Sequence, residues 1–196
     1  MYRSKEEKNE LREKYIEVRK NLDPEVKKAR DEAICKTILS SISYRYADNV
    51  LMYYPKASEI DIRPIMYRAF EDGKRVAFPR CAPDGSPNME FHFVTSEEDL
   101  EVGIFKIKAP KEGCEMFDRS CAKGPTLILV PALSFDRHGY RLGYGKGFYD
   151  RYIDKNRMTA VGVIYSDCVE KNDLPRGRYD LAMHFMVTDK GVMIVD

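Results

Sequence analysis

The sequence predicts one α/β domain, in which a mainly parallel, twisted sheet carries helices on both faces and follows an N-terminal helical hairpin. Apolar segments of strand length alternate with segments of helical periodicity, and this alternation requires crossover connections between parallel strands. The chain has 196 residues, 43% of them hydrophobic, which is enough for one core. Because no repeat, low-complexity tract or linker divides the chain, residues 1–196 are interpreted as a single domain.

An amphipathic helix is predicted over residues 4–21, because its apolar side chains recur at spacings of four, three and four. The apolar stripe consists of Leu11, Tyr15, Val18 and Leu22. Lys8 and Arg12 lie on the other face of this helix. Asp23 and Pro24 then suit the N-cap and the first position of a second helix, which completes the predicted hairpin.

Beyond the hairpin, the sequence alternates between strand and helix patterns. Strands are predicted over residues 49–54, 75–79, 89–94, 126–130, 159–165 and 183–187. Helices are predicted over residues 60–72 and 149–155. Two stretches rich in proline, glycine and charge, residues 81–88 and 109–124, are interpreted as surface loops.

The composition argues against several functional classes. Lysine and arginine number 33 against 32 acidic residues, so no net field favours nucleic acid. The longest apolar run, residues 127–133, is too short for a membrane span, and the N-terminus has no apolar signal core, so a cytoplasmic protein is expected. Five cysteines without a Cys-x-x-Cys pair indicate reduced thiols. We expect a monomer or weak dimer whose partners are small molecules.

The most informative segment runs from the strand over residues 126–130 through a glycine loop into the helix over residues 149–155. In open α/β sheets, ligands bind beyond the carboxyl ends of the strands, where this loop must lie. Gly143, Gly145 and Gly147 permit positive φ and let backbone N–H groups approach an anion. The loop matches neither the G-x-G-x-x-G nor the G-x-x-x-x-G-K-[ST] pattern, yet phosphate is the expected ligand.

Charged residues flank this loop on both sides. Arg141 and Lys146 supply two cations, and Asp150 follows in the first helical turn, where a carboxylate can hold a metal that bridges phosphate oxygens. Each feature also has an ordinary explanation: the glycines as a tight turn, Asp150 as compensation of the helix dipole and Arg141 as a solvated ion pair. Their joint occurrence around one loop favours a phosphate and metal site.

The segment RLGYGKGFYD at residues 141–150, preceded by PALSFD at residues 131–136, closely resembles the signature of the 5-formyltetrahydrofolate cyclo-ligase family, also called methenyltetrahydrofolate synthetase. Weaker similarity extends over nearly the whole chain. Lys8 and Arg12 are similar to the family's N-terminal Lys-x-x-x-Arg, and SEID at residues 58–61 is similar to its substrate-binding acidic segment. FPR at residues 78–80 and MEF at residues 89–91 also fall where the family has similar pieces.

The resemblance implies a parallel α/β fold and conversion of 5-formyltetrahydrofolate to 5,10-methenyltetrahydrofolate with ATP and Mg²⁺. By the same resemblance, ATP would contact Lys8, Arg12, Arg141, Leu142, Gly143, Tyr144, Gly145, Lys146, Gly147, Phe148 and Tyr149, among which Arg141 and Lys146 would be catalytic. The folate substrate would contact Tyr54, Glu59, Tyr144 and Phe148. The metal would be held by Asp150 and Asp180, the latter within PRGRYD at residues 175–180.

Two other functional classes stay open at this stage. A phosphosugar isomerase or CoA transferase-like enzyme shares parallel α/β architecture, and ATP-dependent turnover would separate it. A non-catalytic nucleotide-binding module would keep the glycine loop without needing Asp150 and Asp180, and folate binding would separate that case. Arg80 is a further candidate for the site, whereas His138 is interpreted as a turn residue because the expected chemistry needs no titrating base.

Overall fold

The computed structural model describes residues 5–84, 86, 88–153, 158–178 and 180–195. Its strands are β1 Asn49–Leu51, β2 Arg75–Cys81, β3 Met89–Val94, β4 Leu100–Val102, β5 Lys108–Pro110, β6 Thr126–Pro131, β7 Ser134–Phe135, β8 Arg141–Leu142, β9 Thr159–Val163, β10 Phe185–Thr188 and β11 Gly191–Ile194. Its α-helices are α1 Lys5–Lys20, α2 Pro24–Ser40, α3 Ile42–Tyr46, α4 Arg63–Glu71 and α5 Phe148–Tyr152.

Seven strands form one twisted sheet in the order β11-β10-β9-β6-β1-β2-β3. The five inner strands run parallel, and the two edge strands, β3 and β11, pair antiparallel with their neighbours. The predicted α/β class with a mainly parallel sheet is confirmed. The chain adds β2 and β3 on one side of β1 and then returns to place β6, β9 and β10 on the other side. This reversal makes the carboxyl ends of β1 and β6 the expected ligand crevice.

The central strands are buried along their length, as parallel strands covered on both faces must be. Val50 and Leu51 in β1, and Ile128, Leu129 and Val130 in β6, are fully buried. Each such side chain contributes about 1.5–3 kcal/mol through removal of apolar surface from water. The ends of β1 and β6 therefore form a rigid base for the residues that follow them.

Both helices predicted at the N-terminus are present. Asp23 caps α2 as expected, because its Oδ1 accepts hydrogen bonds from the backbone N–H groups of Glu25 at 2.9 Å and Val26 at 3.1 Å. In α1 the predicted apolar stripe faces the core: Tyr15 is buried, Leu11 and Val18 are partly buried, and Leu22, just beyond the helix, is also partly buried. Helix α1 thereby brings Arg19 to the chain after β6 and Arg12 to the loop after β8.

Several predicted boundaries differ from the observed ones. Strand β1 ends at Leu51 rather than at residue 54; the backbone N–H of Met52 still donates to the carbonyl oxygen of Ala77, the β2 partner of Leu51, and this bond closes the ladder. Helix α4 begins at Arg63 rather than at residue 60, with Ile62 as its N-cap and Ile60 buried in the core before it. Strand β11, the β4–β5 ribbon and the β7–β8 hairpin were not predicted. Within the described residues, no helix is long and apolar enough to cross a membrane.

Candidate active site

A cavity of about 410 Å³ lies at the carboxyl ends of β1 and β6. Every residue that the sequence assigned to ATP, folate or metal lines this cavity. These residues come from α1, from the segment after β1, from β8, the glycine loop and α5, and from the stretch before β10. The fold thus brings together groups that are separated by up to 172 positions in sequence, as Lys8 and Asp180 are.

The glycine loop links β8 to α5 along one side of the cavity. Gly145 has φ +96°, and Gly147, the N-cap of α5, has φ +69°, conformations that other residues rarely adopt. A Cβ atom at Gly145 would lie 3.3 Å from the Arg12 guanidinium carbon. Arg12 also donates from Nε to the carbonyl oxygen of Gly143 at 3.0 Å. The first helix therefore holds the glycine loop through a single guanidinium group.

Arg141 and Asp150 form a bidentate ion pair across the two ends of the loop. Arg141 Nη1 donates to Asp150 Oδ1 at 2.7 Å, and Nη2 donates to Oδ2 at 2.9 Å. The two side chains are only 5% and 13% exposed, so solvent screens the pair weakly. The buried Nε of Arg141 has no hydrogen-bond partner among the described residues. The ion pair therefore fixes the guanidinium group of Arg141 on the cavity wall.

Asp180 reaches the cavity because its segment pairs with the chain before β8. Tyr140 forms an antiparallel bridge with Ala182, and the Met183 N–H donates to the carbonyl oxygen of Gly139 at 2.9 Å. Asp180 Oδ2 accepts from Lys8 Nζ at 3.1 Å and from the Gly177 N–H at 2.6 Å. The Leu181 N–H donates to Asp150 Oδ1 at 3.4 Å, which ties the two carboxylate segments together.

The donor set of these two carboxylates fits Mg²⁺. Hard oxygen ligands suit this ion, which usually takes one or two carboxylates and completes its shell with water and phosphate oxygens. Among the described residues, Asp150 Oδ2 accepts one hydrogen bond, so it retains acceptor capacity. Within the described part of the chain, no group of three or more His, Cys, Asp or Glu side chains could hold a metal. A metal here would depend on ligand oxygens from a bound substrate.

The opposite side of the cavity follows β1. Glu59 is 6% exposed, and its Oε2 accepts the backbone N–H of Lys56 at 2.8 Å. Burial, reinforced by the charge of Glu59, raises the pKa of the Tyr149 phenol, so it stays a neutral hydrogen-bonding group. Tyr54 donates its hydroxyl proton to Glu97 at 2.6 Å. A buried carboxylate beside a neutral phenol suits a polar heterocycle.

An apolar wall of the cavity was not recognised as such from the sequence. It contains Pro79, Cys81, Met89 and Ile107. The antiparallel register of β2 and β3 places Cys81 opposite Met89, which brings two of these side chains together. The available sequence signal for this wall was the family similarity at residues 78–80 and 89–91. These two segments pair as the neighbouring strands β2 and β3.

Arg19 is a buried supporting residue that the sequence patterns also missed. It is 4% exposed, and its Nη2 donates to the carbonyl oxygens of Ala132 and, at 3.4 Å, Leu133. The signal was its spacing of four from Tyr15, which places a cation on the buried stripe of α1. Arg19 fixes the chain directly after β6, where the segment that carries the glycine loop begins.

Three further residues lie outside the cavity lining, namely the additional candidate Arg80, the predicted turn residue His138, and His184. Arg80 donates to the carbonyl oxygen of Pro110 at 2.6 Å and so supports the β4–β5 ribbon. His138 is a half-exposed turn residue with its Nε2 3.3 Å from Asp173. His184 accepts the Ala160 N–H through Nδ1 at 3.2 Å. Their observed contacts support the fold rather than the cavity.

The model of the 5-formyltetrahydrofolate cyclo-ligase family matches residues 4–189. The chain belongs to this family. A probable 5-formyltetrahydrofolate cyclo-ligase of Schizosaccharomyces pombe is 31% identical over 179 residues, which cover 82% of this chain and 84% of the relative. The 5-formyltetrahydrofolate cyclo-ligase of Escherichia coli K12 is 26% identical over 177 residues, covering 89% of this chain and 96% of the relative.

A solved structure agrees with this cyclo-ligase assignment. The NMR structure of Aquifex aeolicus 5,10-methenyltetrahydrofolate synthetase is 32% identical and matches with a TM-score of 0.79, covering 96% of this chain and 92% of the other. As a member of the cyclo-ligase family, the chain is an enzyme of the ligase class that belongs to folate one-carbon metabolism. The family resemblance stated on the glycine-loop signature is confirmed.

Proposed function

We propose that this enzyme converts 5-formyltetrahydrofolate to 5,10-methenyltetrahydrofolate while it hydrolyses ATP to ADP and phosphate. The N5 formyl group is a formamide, whose oxygen is a poor leaving group that N10 cannot expel unaided. Transfer of the γ-phosphoryl group to that oxygen turns it into part of a phosphate leaving group. Family membership supports the substrate and product, and the cavity supports the use of ATP.

The proposed reaction has two steps. The formyl oxygen attacks the γ-phosphorus and ADP departs, which gives an imidate phosphate. N10 then attacks the formyl carbon and passes its proton to solvent, and the carbon–oxygen bond breaks as phosphate leaves. The formyl oxygen therefore ends in inorganic phosphate. Alignment and charge neutralisation dominate such a reaction, so no titrating base is needed.

We place the phosphates of ATP between the glycine loop and α1. Lys8, Arg12, Arg141 and Lys146 would neutralise their charge, and the loop amides would donate to their oxygens. The observation that carries this proposal is that these four cations and the glycine loop line one cavity. A phosphate group there would receive charge-assisted hydrogen bonds, which are stronger than neutral ones.

Asp150 and Asp180 would hold Mg²⁺ beside those phosphates. When bound, Mg²⁺ supplies neutralisation of the phosphate charge that develops during transfer. Arg141 and Lys8, which contact the two carboxylates in the present structure, would at the same time keep them aligned. The predicted carboxylate pair is therefore compatible with both a metal and the flanking cations.

The folate ring would lie on the opposite wall. Glu59 would accept hydrogen bonds from polar pterin atoms, and Tyr54, Tyr144 and Phe148 would supply aromatic surface. Glu59 suits this role because it is buried and its carboxylate is held by the segment after β1. The apolar wall formed by β2 and β3 would cover the remainder of the ring system.

The test is to mix purified protein with 5-formyltetrahydrofolate, ATP and Mg²⁺ and to follow the near-ultraviolet absorbance of the methenyl product. Product should form only when both ATP and Mg²⁺ are present. Equal turnover without ATP would contradict the proposal and favour the phosphosugar isomerase or CoA transferase-like class. Binding of ATP without folate binding or product would instead identify a nucleotide-binding module.

A further inference from the structure

One lysine on the cavity wall has no role in the reaction described so far. Lys56 follows β1 and lines the cavity. Its backbone N–H donates to the Glu59 carboxylate at 2.8 Å, and its ammonium nitrogen lies 5.0 Å from the centroid of the Tyr144 ring. Glu59 and Tyr144 both belong to the side of the cavity assigned to folate, so Lys56 is part of that wall.

The cations of the cavity differ in how their charge is compensated. Lys8 pairs with Asp180 at 3.1 Å, and Arg141 pairs with Asp150 at 2.7 Å. The Lys56 ammonium has no carboxylate within ion-pair distance in the part of the chain that the structure describes, and its side-chain contact is the aromatic ring of Tyr144. An aromatic face stabilises a cation but leaves its charge available to an anion.

We propose that Lys56 binds a carboxylate of the glutamate moiety of 5-formyltetrahydrofolate, an inference that rests on the proposed function. The substrate carries its ring at one end and a glutamate with two carboxylates at the other. Lys56 is solvent-exposed, whereas the neighbouring Glu59 is buried, so the two residues suit the charged end and the ring of one molecule. The phosphates of ATP are the other available anion, and Lys146 already presents an exposed ammonium to them from the glycine loop.

The experiment compares two substrates, 5-formyltetrahydrofolate and 5-formyltetrahydropteroate, which lacks the glutamate. For Lys56→Ala we expect the KM for 5-formyltetrahydrofolate to rise about fivefold, the scale of one partly solvated ion pair, with KM for the pteroate and for ATP unchanged. Lys56→Arg keeps the charge and should restore a KM near that of the unaltered enzyme. Lys36→Ala, which removes an exposed lysine of α2 away from the cavity, is the matched control and should change neither KM.

Three results would overturn the inference: an equal rise in KM for both substrates, a rise for ATP instead, or no change for either substrate. Because Lys56 is exposed, its removal should leave the fold intact, and an unchanged denaturant midpoint checks this point. Failure of the proposed function is distinguishable, since the unaltered enzyme would then form no methenyl product from either substrate.

Discussion

At the scale of single residues, the cations of the cavity differ in what their removal would do. Arg141 is buried against Asp150, so Arg141→Ala would leave a weakly solvated carboxylate unpaired, a loss of about 3–5 kcal/mol for a fully buried pair. Lys146 is exposed and has no ion-pair partner among the described residues. Lys146 is therefore the cleaner probe of phosphate binding, because its replacement should not disturb the fold.

We predict that Lys146→Ala slows turnover by about a hundredfold, as expected when one preorganised donor to the transferred phosphoryl group is lost. Its denaturant midpoint should match that of the unaltered enzyme. Arg141→Ala should lose both rate and stability. Steady-state kinetics and urea unfolding on the same preparations separate the two effects. A folded Lys146→Ala enzyme with a near-normal rate would remove Lys146 from the phosphate site.

Asp150→Asn and Asp180→Asn should each raise the Mg²⁺ concentration needed for half-maximal activity, because asparagine keeps the size but removes the charge. Asp150→Asn should be the more severe, since it also breaks the bidentate contact with Arg141. Activity measured as a function of Mg²⁺ at saturating ATP and folate checks this. An Asp180→Asn enzyme with unchanged Mg²⁺ dependence would remove Asp180 from the metal site.

Glu59→Gln should weaken folate binding and leave ATP affinity largely intact. The amide oxygen of glutamine can still accept the Lys56 N–H, so the change tests charge rather than the local backbone. Separate titrations with 5-formyltetrahydrofolate and with ATP provide the measurement. The reverse pattern would mean that the two substrates have been assigned to the wrong walls.

At the scale of elements, a carboxylate outside the cavity connects the β4–β5 ribbon to the cavity wall. Glu97 accepts hydrogen bonds from the hydroxyls of Tyr54 at 2.6 Å and Tyr67 at 2.5 Å, and from Lys108 Nζ of β5 at 2.8 Å. These three contacts lower the pKa of Glu97 from 4.5 to about 2, and the contact with Lys108 has the largest effect. The ionised carboxylate therefore joins the ribbon to Tyr54, a residue of the proposed folate wall.

This arrangement predicts an acid dependence of stability. Because the folded-state pKa of Glu97 is lowered, its contribution is fully present above pH 4.5 and is lost as the pH falls towards 2. Glu97→Gln should lower the free energy of unfolding at pH 6 more than at pH 3. Urea unfolding at both pH values measures the difference. Glu98→Gln, a change at the exposed neighbouring residue, is the control and should show a smaller effect; equal effects would contradict the prediction.

The sequence predicted elements well where their hydrophobic pattern was long enough to show a period. The strands now seen as β2, β3, β6 and β9 were located to within about two residues, an accuracy typical of pattern reasoning. The β7–β8 hairpin has strands of two residues, and β4 and β5 have three, so no period could appear. Their pairing depends on contacts with distant parts of the chain.

The candidate site was also predictable only where its residues lie close together in the sequence. The glycine loop, Arg141, Lys146 and Asp150 are close in sequence, and residue chemistry alone indicated a phosphate site. Lys8 and Asp180 were assigned only through the family resemblance, because two residues 172 positions apart give no local signal of contact. The apolar wall depends on the register between β2 and β3, which side-chain pattern does not specify.

At the scale of the whole molecule, near-neutral net charge hides a strongly uneven distribution. The cavity is lined by the cations Lys8, Arg12, Lys56, Arg141 and Lys146 and by the carboxylates Glu59, Asp150 and Asp180. The order in which the chain adds parallel strands reverses at β1, and this reversal places the ligand crevice at the carboxyl ends of β1 and β6. An excess of cations in this cavity suits the two anionic substrates of the proposed phosphoryl transfer.

The most direct test of this account follows the formyl oxygen. The enzyme is supplied with 5-formyltetrahydrofolate that carries ¹⁸O in the formyl group, together with ATP, Mg²⁺ and unlabelled water, and the released phosphate is analysed by mass spectrometry. Phosphorylation of the formyl oxygen predicts one ¹⁸O atom in the phosphate for each methenyl product formed. Unlabelled phosphate, with the label lost to water, would contradict the mechanism and show that ATP is hydrolysed by water instead.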